Sequence, residues 1–254
     1  MQLSTMKTNR IKHTFFILLS VLFWIAVWHI AAIKIDSALI FPSPFDTLET
    51  LFLLIRETDF LKICLGSVGR IFLGAVVGIT LGTLLAIVGH FIPFLKYLTA
   101  PIMTVVKTTP VASFIVLLLI LIGKGPVPSV TSALIAVPIL YANVSRAIDG
   151  IDKSLSEVCT VYSLSLAKRW RVLWLPSLMP SFISGMKSCI GLSWKAGIAA
   201  EVLCTPPESI GLKIHETRIY LETPSLFAWT AVVIVLSLIF EKGALLLLKE
   251  RRRK

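Results

Sequence analysis

The sequence has few charged side chains. Only 15% of its 254 residues are Asp, Glu, Lys or Arg, whereas soluble domains average roughly 25%. Hydrophobic residues make up 56% of the chain, and the mean hydropathy is +0.87. This composition excludes an ordinary soluble domain and is typical of a membrane protein. No linker, low-complexity segment or tandem repeat divides the chain, so we expect one membrane-embedded domain.

The sequence also lacks the short motifs that carry enzyme chemistry. No segment fits GxxxxGK[ST], HExxH or GxSxG, and no apolar segment holds a pair of carboxylates for a proton relay. The cysteines Cys64, Cys159, Cys189 and Cys204 form no CxxC pair, and no His lies at metal-ligand spacing. Neither a disulfide framework nor a metal site is therefore expected. We predict a chain that is not an enzyme and takes energy for uphill transport from a partner.

Long apolar segments predict an all-α, polytopic membrane protein. A spanning helix needs about 20 apolar residues, and six segments meet this length: 14–33, 70–89, 97–122, 127–147, 177–203 and 226–248. The first is too long for a cleaved signal peptide, whose apolar region is about 7–15 residues, so it is interpreted as a span. Pro101 and Pro110 fall in the third segment, which is either one broken helix or an interfacial piece followed by a span.

Basic residues predict the orientation of these spans. With a cytoplasmic N-terminus, the N-terminus, residues 90–96, residues 146–171 and the C-terminus share one side, which holds fifteen Lys and Arg against seven on the other. This bias favours both termini in the cytoplasm. Many of the basic residues flank apolar segments, as Lys7, Arg10 and Lys12 do, where they orient membrane helices. The net charge of +11 is therefore attributed to membrane orientation, and no nucleic-acid partner is expected.

Small residues recur on the second span. Gly74, Gly78 and Gly82 are four residues apart, and Gly89 lies one heptad further on. Glycines at this spacing share one helix face and allow another backbone to approach closely, which favours helix packing in lipid. The alternative is that glycine is simply common in membrane helices.

A half-polar cytoplasmic stretch separates the fourth and fifth spans. Apolar residues recur there at helical spacing, at Ile151, Leu155, Val158, Tyr162 and Leu166. This pattern predicts a short amphipathic helix, with residues 157–166 as its docking part, residues 168–171 as a basic cytoplasmic anchor and Pro176 as its stop. Its apolar stripe either lies on lipid headgroups or docks in a groove of another protein.

Three ordered motifs carry a resemblance. Glu157, Ser163, Leu173, Leu175 and Pro176 match the spacing of the E-A-A-x3-G-x9-I-x-L-P loop of bacterial ABC importer permeases, with Val158, Cys159 and Ser163 in place of Ala, Ala and Gly. The segments KTTPVASFIVLLLILIGKG (107–125) and GLSWKAGIAAEVL (191–203) resemble the nitrate/sulfonate/taurine/bicarbonate branch. Serine at position 163 is tolerable at a close-contact site but strained if the backbone there needs positive φ.

The resemblance implies a type I ABC importer permease fold in the bacterial cytoplasmic membrane. It divides the chain into an N-terminal helix and extracytoplasmic segment (1–66), a permease domain (67–248) and a basic tail (249–254). It also implies a second permease copy, two ATP-binding subunits that bind ATP and Mg²⁺, and a solute-binding protein. The residues that would couple to the ATPase are Glu157, Val158, Cys159, Tyr162, Ser163, Leu166, Leu175 and Pro176.

Charged residues inside the apolar segments suggest a translocation path. Burying a lysine in a bilayer costs about 2.5–3.5 kcal/mol, so such residues usually face a cavity or a partner. The candidates are Lys107, Lys187, Trp194, Lys195 and Glu201. Alternatively, Lys187 snorkels to the membrane surface, Lys195 pairs with Glu201 or a backbone carbonyl, and Trp194 only packs.

The expected function is permeation of a small solute, with the lysines favouring an anion such as nitrate, a sulfonate or taurine. A thiamine-precursor pyrimidine is the alternative solute. A secondary carrier would need coupling-ion sites and inverted repeats, and neither is evident in the sequence. A membrane scaffold would not need a cytoplasmic helix with this spacing.

Overall fold

A computed structural model describes the backbone of residues 2–251 and the side-chain environment of residues 15–243. Within this part of the chain all regular structure is helical, which confirms the all-α class. The helices are α1 (Gln2–Ile35), α2 (Pro44–Arg56), α3 (Phe60–Phe91), α4 (Pro93–Thr108), α5 (Val111–Ile122), α6 (Val127–Asp149), α7 (Lys153–Val161), α8 (Leu166–Arg169), a π-helical turn (Trp170–Trp174), α9 (Leu175–Cys204), α10 (Ile210–Ile219) and α11 (Thr223–Arg251). The side chains of the basic tail 249–254 and of Lys7, Arg10 and Lys12 lie outside the described residues.

The chain forms two compact units. The first comprises the chain up to Phe60 together with Glu216–Val232, and the second comprises Leu61–His215 and the chain from Val233 onward. In the described residues, four single helices are long and apolar enough to cross a membrane: Phe15–Ile35, Phe60–Phe91, Val127–Asp149 and Thr223–Gly243. The predicted span 177–203 lies in α9, whose 30 residues suffice in length. The predicted span carries three charged side chains, and α9 is not one of the four helices named above.

Helices α3 and α6 pack in close backbone contact along the predicted glycine face. A Cβ added to Gly78 would lie 2.5 Å from the carbonyl oxygen of Ala133, and added Cβ atoms on Gly74 and Gly82 would clash with the carbonyls of Ser129 and Val137. The contacts advance by four residues on both helices, so α3 and α6 run parallel. The packing interpretation is confirmed for these three glycines, whereas Gly89 has only ordinary contact distances to Lys96.

Helix α9 packs antiparallel to α6 and completes the core of the second unit. Leu178 at the start of α9 clusters with Val144 and Ile148 at the end of α6. At the opposite end, Ala200 and Cys204 cluster with Val127. Between these clusters the Ser193 hydroxyl donates to the carbonyl of Ser132 at 3.1 Å, and the Ser132 hydroxyl donates to the carbonyl of Ile71 at 3.0 Å. These two bonds link α9, α6 and α3 in the middle of the unit.

The third predicted span is broken. Helices α4 and α5 meet at an angle of 106°, and the break falls at Thr109 and Pro110, where proline cannot continue the hydrogen-bond ladder. The Thr99 hydroxyl on α4 lies 3.1 Å from the Tyr141 hydroxyl near the end of α6, whereas Ile115 on α5 clusters with Val127 at the start of α6. The pair therefore contacts α6 near both of its ends.

Two segments that are distant in the sequence, residues 90–96 and residues 146–171, lie close together. Lys96, the last residue of the segment 90–96 and part of α4, lies 3.0 Å from the Asp149 carboxylate at the end of α6. His90 lies with its ring 5.0 Å from that of Trp174. The loops 90–96 and 146–171, which the charge pattern assigns to one side of the membrane, thus lie at the same end of the second unit.

The glycine face gives a stability prediction with a matched control. Gly78→Ala would force α3 and α6 apart, and we expect it to destabilise the protein by about 1–3 kcal/mol, as overpacking does. Gly69→Ala in the same helix has no atom within 4 Å of the new Cβ, so we expect neutral or slightly raised stability from the better helix propensity of alanine. Denaturant unfolding in detergent measures both, and equal effects would contradict the close-contact account.

Candidate coupling site and exposed lysine face

Helix α7 begins at a capped N-terminus. The Asp152 carboxylate accepts hydrogen bonds from the Ser154 amide at 2.9 Å and from the Ser154 hydroxyl at 2.7 Å. An acceptor side chain at the N-cap satisfies amide groups that have no partner inside the helix. The same two bonds lower the pKa of Asp152, so the cap is ionised at neutral pH. Helix α7 therefore starts at Lys153, just after its cap Asp152, close to Ile151 where the predicted apolar stripe begins.

The end of α7 is a Schellman turn with serine in the glycine position. The amide of Ser163 donates to the carbonyl of Thr160 at 2.9 Å, and the amide of Leu164 donates to the carbonyl of Cys159 at 3.0 Å. This pair of bonds defines the Schellman motif. In this motif the residue after the helix C-cap adopts left-handed backbone angles and is usually glycine. Ser163 has φ +49°. The departure from glycine therefore falls at a position of positive φ, not merely at a close contact.

Arg169 ties this turn to the next helix. Its guanidinium donates to the carbonyl of Leu164 at 3.2 Å, to the carbonyl of Cys159 at 3.3 Å and to the Thr160 hydroxyl at 3.2 Å. Three donors spread over the end of α7 and the turn fix the angle between α7 and α8. The sequence assigned Arg169 to a basic anchor, but in the structure it binds the backbone of α7.

The exposed surface of α7 and its turn is apolar. Leu155, Val158, Val161, Tyr162 and Leu166 are exposed, the last three by 74–81%, and we call these five residues the α7 patch. The predicted single helix through residue 166 is wrong, because α7 ends at Val161 and Leu166 opens α8. Ile151 precedes α7, and Val161 was missed because it lies off the periodic stripe.

The other predicted coupling residues divide between the surface and the core. The Glu157 side chain is exposed on α7, in a position to contact a partner. Cys159 is only 5% exposed and faces the interior of its own chain. A direct contact between its side chain and a partner is therefore not expected in this conformation.

Pro176 does not end a helix. Leu175 has helical angles, and its amide bonds to the carbonyl of Trp170 in the five-residue spacing of a π turn. Proline has no amide hydrogen and its ring clashes with the carbonyl four residues earlier, and a π turn is one way for a helix to accommodate this. The predicted stop at Pro176 is therefore corrected: α8, the π turn and α9 are one continuous helical path. Leu175 and Pro176 lie exposed at the start of α9.

An aromatic cluster fastens the π turn to the end of α3. The ring of Trp174 lies 5.5 Å from the rings of both Phe91 and Trp170, in addition to its contact with His90. Both tryptophans also pack against the cluster of Val144, Ile148 and Leu178. Aromatic pairs at this separation are favourable beyond their burial. The segment that carries the α7 patch is therefore joined to α3, α6 and α9.

Two of the predicted path lysines share one exposed face of α9. Lys187 and Lys195 are exposed, and Ser184, Ser188, Leu192 and Ala199 are exposed on the same side. Gly191 lies between the lysines with no atom within 4 Å of its added Cβ. We call Ser184, Lys187, Ser188, Leu192, Lys195 and Ala199 the lysine face; it presents two cations, Leu192 and otherwise small side chains. Lys107 is exposed near the end of α4, outside this face.

Trp194 and Glu201 do not lie on that face. Trp194 is 1% exposed, its indole donates to the carbonyl of Val233 at 3.3 Å, and its ring packs near that of Phe240 at 5.7 Å. Glu201 is fully buried. The prediction that these two residues line a path is not met in this conformation, and the packing alternative describes Trp194.

The buried Glu201 carboxylate joins three segments of the chain. It accepts from the Ser67 hydroxyl at 2.7 Å, from Arg70 at 3.2 Å and from the amide of Gly211 at 3.2 Å. Arg70 also donates to the carbonyl of Glu208 at 2.8 Å. A buried carboxylate is stable when it is both paired and hydrogen-bonded. Glu201 therefore pairs with Arg70 and not, as one alternative held, with Lys195.

The described helices are those of an all-α protein with several candidate membrane spans. Residues 78–252, more than half of the chain, match the family of binding-protein-dependent transport system inner membrane components. The chain belongs to this family.

Curated relatives match most of the chain. It is 26% identical over 225 residues to the taurine transport system permease protein TauC of Escherichia coli (strain K12), covering 85% of this chain and 80% of the relative. It is 25% identical over 206 residues to SsuC of Bacillus subtilis (strain 168), named for aliphatic sulfonates transport, covering 80% and 74%. An ABC transporter permease of Brucella melitensis biotype 1 is 22% identical over 230 residues, covering 89% and 91%.

The Schellman turn generates a local stability prediction. Ser163→Gly removes the cost of a left-handed non-glycine residue, roughly 1–2 kcal/mol, so we expect the Leu164 amide, bonded to Cys159, to exchange with deuterium about fivefold more slowly or better. Ser156→Gly in the interior of α7 is the matched control and should accelerate exchange, because glycine weakens a helix. Faster exchange at Leu164 in Ser163→Gly would show that the turn does not need positive φ.

Proposed function

We propose that this chain is the translocating subunit of an ATP-driven importer. In this proposal a partner subunit binds ATP and Mg²⁺ and docks on the α7 patch, a second copy of the chain completes the path, and an extracytoplasmic binding protein delivers the solute. The observation that carries the proposal is the α7 patch itself, an exposed apolar surface on a helix fixed at both ends. Family membership supports the transport role.

The α7 patch is suited to transmit displacement. A partner that pulls on α7 acts through the Arg169 bonds on α8, and the continuous path through the π turn carries the movement into α9. Because α9 packs along α6 and α6 lies against the glycines of α3, these helices would shift together. Rigid-body rotation of this kind is a common way to switch between two access states. A loosely tethered helix would absorb the displacement instead.

The lysine face favours a small anion as the solute. Two cations along a helix of this length are costly against lipid, which supports a position toward a water-filled path between two copies. Small neighbours at Ser188 and Gly191 leave room for a solute beside the ammonium groups. Two relatives are named for taurine and for aliphatic sulfonates, and a sulfonate is the solute we propose. This face favours an anion over the pyrimidine alternative.

The proposed location is the bacterial cytoplasmic membrane with both termini in the cytoplasm. The α7 end of the second unit then faces the cytoplasm, where ATP is available. The excess of Lys and Arg on that side supports this orientation.

Docking on the α7 patch is tested by charge substitution. In the variant Glu157→Arg, Tyr162→Asp we expect copurification of the ATP-binding subunit to be lost, because a charge would be buried in an apolar contact. Tyr220→Asp, at an equally exposed tyrosine (73%) outside α7, is the control and should retain the partner. Full association and substrate-stimulated ATP hydrolysis in the α7 variant would contradict the proposal.

The anion path is tested by removing one charge. Lys195→Met should reduce taurine uptake into proteoliposomes about tenfold or more, since a hydrogen bond to a charged group contributes about 1.5–3 kcal/mol. Lys124→Met, at an exposed lysine between α5 and α6, is the control. Unchanged uptake by a well-folded Lys195→Met would remove this residue from the path.

A further inference from the structure

Helix α2 has three distinct faces. At 100° per residue, Phe45, Leu48, Phe52 and Ile55 fall in one sector of about 80°, and each of these side chains is 50–68% exposed. The adjoining sector holds Pro44, Thr47 and Leu54, which are buried. The remaining, mostly polar sector holds Asp46, Glu49, Thr50 and Arg56, with the exposed Leu53 among them. We call the exposed apolar sector the α2 stripe.

The start of α2 is held beside the last turns of α1. The ring of Phe45 lies 5.4 Å from that of His29, and the indole of Trp28 donates to the carbonyl of Pro42 at 3.0 Å. A capping box between Ser43 and Asp46 fixes the first turn. Trp28 and His29 belong to the apolar segment Phe15–Ile35, within two turns of its end. The first turn of α2 therefore lies level with the edge of a membrane span.

Short connections join α2 to the helices before and after it. Eight residues, 36–43, separate it from α1, and three residues, 57–59, separate it from α3. Both neighbours are candidate spans, and a residue extends the chain by at most about 3.6 Å. The end of α2 thus lies within roughly 15 Å of Phe60, the first residue of α3.

We propose that α2 is an interfacial helix whose stripe lies in the lipid, at the boundary of headgroups and acyl chains. An interfacial helix presents an apolar face to the acyl chains and a charged face to water, which is the arrangement of the three sectors. The occupant we assign is zwitterionic lipid. Asp46, Glu49, Glu57 and Asp59 outnumber Arg56 around the helix, so anionic headgroups would be repelled. This inference does not depend on the transport proposal.

Site-directed spin labelling of the full-length protein in phosphatidylcholine nanodiscs tests the assignment. Phe52→Cys and Leu48→Cys place a nitroxide on the stripe, and Glu49→Cys and Thr50→Cys place it in the polar sector. The four native cysteines are buried, and wild-type protein carried through the same labelling measures any background. Collision of each nitroxide with oxygen, which concentrates in lipid, is compared with collision with a water-soluble nickel chelate.

At positions 48 and 52 we expect oxygen collision several-fold above nickel collision, and the reverse at positions 49 and 50. Equal nickel access at all four positions would place α2 in water and overturn the proposal. Protection of positions 48 and 52 from both reagents would mean that protein covers the stripe, which would also overturn it. Two positions on each face keep the result decisive if one variant does not fold.

Discussion

The close contact between α3 and α6 is the constraint on which the second unit depends. Three glycines without side chains let the two backbones approach, and the common four-residue step holds the helices parallel. Parallel neighbours require the chain to return between them, and the broken pair α4–α5 provides that return. With α3 and α6 fixed, α9 fills the remaining face of α6 in the antiparallel direction, and its hydrogen bonds through Ser193 and Ser132 set the register.

Helix α7 is held on the second unit mainly by contacts from neighbouring segments. Helix α7 contributes one buried side chain, Cys159, and has little packing of its own. Its position instead comes from Arg169, which binds its last turn, and from the two tryptophans of the π turn. The left-handed serine at position 163 shows that the sharp turn after α7 is formed at some conformational cost.

The sequence predicted those features that depend on regular spacing. Glycines four residues apart indicated the α3–α6 contact, and proline indicated the break near Pro110, because both act locally. It placed the end of α7 too late, since the periodic Tyr162 and Leu166 continue across a turn that is defined by backbone angles rather than hydrophobicity. The π turn was missed because proline usually ends a helix. The partner of Glu201 was missed because Arg70 is 131 residues distant, and no local pattern links them.

The central claim is that an ATP-binding partner grips the α7 patch of a permease. Hydrogen exchange of the reconstituted complex, with and without the partner subunit, tests it most directly. The account predicts that amides of residues 153–164 become markedly more protected when the partner binds, while α10 (Ile210–Ile219) is unchanged. Unaltered exchange across residues 153–164 in a complex that hydrolyses ATP would contradict it.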